Sequence, residues 1–212
     1  MRRTLLLLRH GRTAWNLEGR AQGHTDVPLD ATGRAQAVRA AEALAGLGAS
    51  ALWSSDLARA RETAEIVGAS CGLLTQLDKR LRELDVGVRS GLTWAEYAER
   101  YPEEYASRGT ADPIPAPGEE DVVAVAARVG AALRECLGML ADGQSAIVVA
   151  HGACLKDGIG ELLGWPDGTA RRQLVGMENC SWARLDETDG RVRLTSYNVG
   201  ATPDFASPAP GR

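Results

Sequence analysis

Leu5–Leu8 is a continuous apolar run rather than an alternating one, which predicts a strand covered on both faces, and it stops at Arg9-His10-Gly11. Ala146–Ala150 repeats the pattern and stops at His151-Gly152, so two histidines are placed where buried strands end. Between these runs, alanine-rich stretches over Asp30–Leu47 and Asp56–Gly68 carry helical periodicity, and Val122–Leu140 carries it further, with Gly68, Gly118 and Gly143 at the edges. The short apolar segment Ala51–Ser54 leads into the second helix, for which Ser55 or Asp56 is the expected cap. Strands alternating with helices of this size predict an α/β layered fold around a largely parallel sheet.

Val88–Glu120 breaks that rhythm. Four of the nine prolines fall there, at Pro102, Pro113, Pro115 and Pro117, among aromatic and acidic residues, and the segment reads as an insertion over one end of the sheet. Ser181–Leu185 and Arg191–Tyr197 flank Asp189-Gly190 with strand-like alternation, predicting an antiparallel hairpin at a sheet edge. Residues 1–200 are expected to form one domain, and the Pro-, Ala- and Gly-rich residues 201–212 a loose tail.

Composition narrows the function classes. At 212 residues and 44% hydrophobic, the chain can bury a core that needs no disulfides. Its 24 Lys+Arg against 28 Asp+Glu give a net charge of −4, which argues against coating nucleic acid or anionic lipid through bulk charge while leaving room for a local basic pocket. Cys71, Cys136, Cys154 and Cys180 have no CxxC spacing, so zinc-ribbon and thioredoxin-like chemistry is set aside and reduced thiols are expected. Met1-Arg2-Arg3 ahead of Leu5–Leu8 imitates an export signal, but Arg9 ends the run short of the roughly 7–15 apolar residues such a signal needs. No uncharged stretch approaches the roughly 20 residues that cross a bilayer. A cytoplasmic protein with neither nucleic-acid nor membrane partners is the expectation.

In open α/β sheets, ligands bind beyond the carboxyl ends of the strands, where helix N-termini converge. Three strand ends here carry cationic or potentially cationic side chains: Arg9 and His10, then Arg59 one turn into a helix, then His151. That convergence suits a phosphoryl group. A lone histidine after a strand is more often structural, but two of only three histidines in matching positions, each followed by glycine, point to chemistry.

The segment Leu8-Arg9-His10-Gly11-Arg12-Thr13-Ala14-Trp15-Asn16 resembles the histidine phosphatase superfamily, which includes phosphoglycerate mutase. Further matching blocks follow in order: Gln22-Gly23, Asp26-Val27-Pro28-Leu29, Gly33 to Ala37, Ser54 to Ala64, Leu81-Arg82-Glu83, Gly118-Glu119 and Val149-Ala150-His151-Gly152. They span nearly the whole chain. The resemblance implies a three-layer α/β/α sandwich, phosphoglycerate mutase-like, with an antiparallel edge to a mostly parallel sheet. It implies His10 as a nucleophile that forms a phosphohistidine, and Arg9, Arg59 and His151 around the nonbridging oxygens with Asn16 as a neutral donor. Glu83 would protonate the leaving alcohol and then activate water. No cofactor and no metal is implied, the arginines supplying the positive charge. Gly11, Thr13, Gln22, Gly23 and Gly152 are implied as substrate-binding neighbours, and relatives of this kind often form homodimers.

Weaker signals read differently. His24 is expected to be a solvent-exposed loop residue and Lys156 a solvated helix residue. Glu120 stands where the family usually has serine, which leaves the role of Glu119 open. Asn179-Cys180-Ser181 is a glycosylation sequon of no expected consequence without export. Gly68-Ala69-Ser70-Cys71-Gly72 satisfies the serine-hydrolase elbow, but Ser70 follows a helical segment rather than a strand, so that reading is set aside.

Hydrolysis and mutase transfer share one phosphohistidine. The shortness of the chain favours a phosphatase of a small phosphorylated metabolite, with substrate choice set by Leu17–Asp26 and Val88–Glu120. The Gln22-Gly23-His24-Thr25-Asp26 and Met177 to Trp182 stretches resemble the glucosyl-3-phosphoglycerate phosphatase branch. A non-catalytic phosphate-binding module would need the arginines but neither His10 nor Glu83.

Overall fold

The computed structural model describes residues 1–110 and 113–200. The proposed tail, residues 201–212, lies outside them. Six strands form one sheet in the order β3-β2-β4-β1-β5-β6. These are β1 (Arg2–Arg9), β2 (Ala51–Ser54), β3 (Thr75–Leu77), β4 (Ser145–Ala150), β5 (Trp182–Thr188) and β6 (Arg191–Val199). The first four are mutually parallel, β5 runs antiparallel to β1, and β6 antiparallel to β5.

Successive side chains of a strand point to opposite faces, and both faces of β1 are covered. Leu5 and Leu7 enter a core with α6 (Val122–Met139) and α7 (Gly152–Leu163), whereas Leu6 and Leu8 enter a second core with α2 (Ala31–Ala45) and α3 (Ala58–Cys71). Two buried faces are the reason the leucine run is continuous. The fold is therefore the expected three-layer α/β/α sandwich. At the turn between β5 and β6, Asp189 and Gly190 adopt φ of 51° and 76°. Left-handed geometry at both positions suits a type I′ turn and explains the Asp-Gly pair.

Three local features depart from the expectations. The helix after β2 starts two residues late, at Ala58: Ser55 Oγ accepts the Leu57 N–H at 3.3 Å, and the cap comes instead from Asp26 of a distant loop, whose Oδ1 accepts the Ala58 N–H at 2.6 Å. Asp56 pairs with Arg82 at 2.6 Å. Strand β3 was not foreseen; it is a three-residue edge strand with little apolar signal. Val88–Glu120 carries two short helices, α4 (Trp94–Arg100) and α5 (Pro102–Ser107), broken where Pro102 follows Tyr101. The remaining short helices are α1 (Ala14–Leu17) and α8 (Thr169–Gln173).

The loop leaving β1 packs backbone to backbone on the first turn of α2. A Cβ on Gly11 would stand 2.4 Å from the Gly33 carbonyl oxygen, and one on Gly33 would stand 2.0 Å from that of Arg12. Among the described residues no helix is long and apolar enough to cross a membrane.

Candidate active site

Parallel pairing sets Arg9 against Ala150 and Ser54 against Val149, so β1, β2 and β4 end together. The residues that follow them, His10, Ser55 and His151, are thereby brought to one edge. A cavity of about 230 Å³ opens there, and Arg9, His10, Asn16, Arg59 and Glu83 line it together with Gln22 and Gly23.

His10 is buried, and its Nδ1 lies 2.7 Å from the Gly11 carbonyl oxygen. A carbonyl only accepts, so Nδ1 carries the proton and Nε2 keeps its lone pair. Burial, followed by the charges of Arg59 and Arg9, pushes the His10 pKa well below the ordinary histidine value. The ring is neutral at neutral pH. His151 stands one layer behind the cavity wall, its ring 5.1 Å from that of His10, centre to centre. Its Nδ1 accepts from Arg59 Nε at 3.2 Å, so the proton is on Nε2, which donates to Ser55 Oγ at 2.9 Å. Burial, then Arg59, His10 and Arg9, hold its pKa well down as well.

Arg59 is a clamp. Besides His151 it donates to the carbonyls of Thr25 and Gly23 at 2.9 and 2.8 Å, tying down the loop that caps α3. Three of its five N–H groups are engaged among the described residues, which leaves two for a ligand. Desolvation lowers its pKa to about 10, which leaves it cationic. Arg9 is half-buried, donates to the Met177 carbonyl, and keeps a buried Nε with no partner among the described residues. Asn16 spends its Oδ1 on Thr13 and, at 3.4 Å, on Asn179, leaving Nδ2 for the cavity.

Glu83 sits at the N-terminus of α7. One carboxylate oxygen accepts the Cys154 N–H at 2.8 Å and that of Leu84 at 3.0 Å, and the other accepts the Ala153 N–H at 3.1 Å. Its backbone is fixed by Arg128, which donates to the carbonyls of Arg80 and Arg82, each at 2.7 Å, and of Glu83 at 3.0 Å. Arg128 is in turn held by Glu120 at 2.7 and 2.8 Å. The glutamate in place of the usual serine thus anchors the strip that carries Glu83.

Several expected neighbours lie elsewhere. Thr13 does not line the cavity; it is fully buried, caps α1 and donates to Gln22. Gly11 and Gly152 are also absent from the wall, the first packed on Gly33 and the second beneath Arg9. Contrary to expectation, His24 is half-buried, with Nε2 2.8 Å from the Glu83 carbonyl and Nδ1 3.5 Å from Asp85. Lys156 is half-buried too, its pKa lowered by burial and by Arg171. Glu119 takes the Ala116 N–H at 3.0 Å and lies outside the wall. The upper wall, Leu84, Val86, Arg89, Leu92 and Trp94, was not named residue by residue in the sequence. Arg89, Leu92 and Trp94 fall within Val88–Glu120, the segment expected to set substrate choice.

The histidine environments carry a stability prediction. Two imidazoles neutral in the folded state and protonatable once unfolded mean that the unfolded chain binds more protons as pH falls below about 6.5. Their contribution is fully present above that value and is lost below it, by about 1.4 kcal/mol per pH unit for each histidine. Urea denaturation between pH 7 and 5.5 should show this decline, and His10→Asn should reduce its slope by about half.

The histidine phosphatase superfamily (branch 1) matches residues 5–200. A "Probable phosphoglycerate mutase GpmB" of Salmonella paratyphi C is 40% identical over 203 residues, covering 94% of this chain and 92% of that protein. A mycobacterial glucosyl-3-phosphoglycerate phosphatase, solved with VO3, superposes with a TM-score of 0.84 at 35% identity over 93% of this chain and 100% of that one. The phosphoserine phosphatase of Entamoeba histolytica, solved with 3-phosphoglyceric acid, gives 0.78 at 26% identity, over 93% and 97% respectively. With strand-end histidines, an arginine cage and matches of this extent, the chain belongs to the histidine phosphatase superfamily.

Proposed function

We propose that the chain hydrolyses small phosphomonoesters through a phosphohistidine on His10, with Glu83 as general acid and then base. The observation that carries this reading is the state of His10: a neutral ring whose Nδ1 proton is held by the Gly11 carbonyl, lining a cavity with Arg9 and Arg59. In the first step the Nε2 lone pair forms the N–P bond as the ester P–O bond breaks, and Glu83 gives its proton to the departing oxygen. In the second, Glu83 takes a proton from water, the resulting oxygen attacks phosphorus, and the N–P bond breaks to release phosphate. Arg9 and Arg59, with Asn16, meet the charge on the equatorial oxygens without reorganising. His151 supports the cage by holding Arg59 and abutting His10.

Transfer to a second hydroxyl of a phosphoglycerate is the alternative, supported by the name of the Salmonella relative. Chain length does not separate the two, because this chain covers 92% of that relative. Hydrolysis is supported by the phosphatases among the solved neighbours. With EDTA present, the protein is expected to release inorganic phosphate from p-nitrophenyl phosphate and from phosphorylated metabolites, measured as free phosphate. Interconversion of 2- and 3-phosphoglycerate without phosphate release would favour the mutase instead.

A further inference from the structure

We propose that Arg89 seats a second anionic group of the substrate, so that the preferred compounds carry a carboxylate or a second phosphate beside the phosphoester. This rests on the hydrolase reading and narrows its substrate class.

Arg89 closes a 3-10 turn (Gly87–Arg89) in the upper wall of the cavity that His10 and Arg59 line, and it is only 9% exposed. Among the described residues its guanidinium makes no hydrogen bond and has no carboxylate in ion-pair range, and its Nε is buried without a partner. The other cations of the wall differ. Arg59 is tied to Gly23, Thr25 and His151 and, with Arg9, faces the phosphoryl position beside His10, while Arg20 is spent on Glu18, Glu96 and the Gly91 carbonyl.

What positions Arg89 is the ring of Trp94, 4.7 Å from its guanidinium carbon. An aromatic face holds a guanidinium through its π surface and leaves the in-plane N–H donors unspent. Arg108 rests on the same ring at 4.9 Å, and Glu119 lies 3.8 Å from Arg108, with no ion pair to Arg89 among the described residues. A desolvated cation without a counter-ion is unfavourable, and a bound anion would relieve it. The planar fork matches a carboxylate or a phosphate in two-point contact. Among the described residues lining the cavity, Glu83 is the single carboxylate, so little in the wall competes for Arg89.

The test compares kcat/KM within two pairs, 3-phosphoglycerate against glycerol 3-phosphate and fructose 1,6-bisphosphate against fructose 6-phosphate, with p-nitrophenyl phosphate as the mono-anionic-group reference. The wild type should prefer the more acidic member of at least one pair, and which pair responds separates carboxylate from phosphate. Arg89→Met, which keeps the stem over Trp94, should lose roughly tenfold or more on that member relative to its loss on p-nitrophenyl phosphate, mainly through KM. Arg89→Lys should recover part of it, and unchanged melting curves would establish folding. Equal losses on all substrates, or no acidic preference in the wild type, overturn the proposal. Should the wild type turn over nothing, the hydrolase reading fails by itself. Calorimetric affinity for 3-phosphoglycerate and fructose 1,6-bisphosphate then decides: weaker binding of either in Arg89→Met sustains the subsite, and unchanged binding of both removes it.

Discussion

Replacing His10 with alanine is expected to lower phosphomonoester turnover by about 10⁴-fold or more, because the covalent route is lost and no other buried imidazole can take it over. His151 is the nearest substitute, but both of its ring nitrogens are engaged, by Arg59 and Ser55, and its ring lies behind the wall. The charge cage would survive, since Arg9 and Arg59 are held by carbonyls rather than by His10. Phosphate and vanadate should therefore still bind the variant, and steady-state assays beside calorimetric titration separate the two effects. Turnover within tenfold of wild type would contradict the assignment.

Glu83→Gln should divide substrates by leaving group. Glutamine keeps the shape and one of the two oxygens that accept the Ala153 and Cys154 N–H groups, and the Glu83 carbonyl is still held by Arg128, so the strip stays in place. What it lacks is a proton to give. First-turnover cleavage of an alkyl phosphate should fall by about 10²–10⁴-fold, the usual range for a positioned acid. Cleavage of p-nitrophenyl phosphate, whose phenolate departs unassisted, should fall far less, and rapid mixing should resolve a burst of nitrophenol followed by slow turnover limited by water attack. Equal first-turnover losses for both substrates would count against an acid role.

The parts of this site that could be read from sequence are those where chemistry and local pattern coincide. His10 and His151 each follow an apolar run that is continuous because both faces of its strand are buried, so their positions at one sheet edge follow from the runs alone. Arg59 needed only a helix after a strand. The parts that escaped depend on contacts distant in sequence. Asp26 capping α3 across 32 residues leaves no local sign, and Ser55 and Asp56 offered a nearer candidate. Glu120 holding Arg128, and through it Glu83, looked like a departure from pattern because its partner lies on a helix. Thr13 and Gly11 sit beside His10 in sequence but turn to cap α1 and pack on Gly33. Arg89 lies in Val88–Glu120, a segment expected to set substrate choice, but nothing local in the sequence singles it out.

The covalent intermediate is the central claim, and trapping it is the most direct measurement. Rapid acid-free quenching of Glu83→Gln after mixing with p-nitrophenyl phosphate, followed by intact mass spectrometry and peptide mapping, should find one phosphoryl group per chain. That group should be stable to alkali, labile to acid, and carried by the peptide containing His10. Nitrophenol release with no adduct, or an adduct on a residue other than His10, would contradict the account.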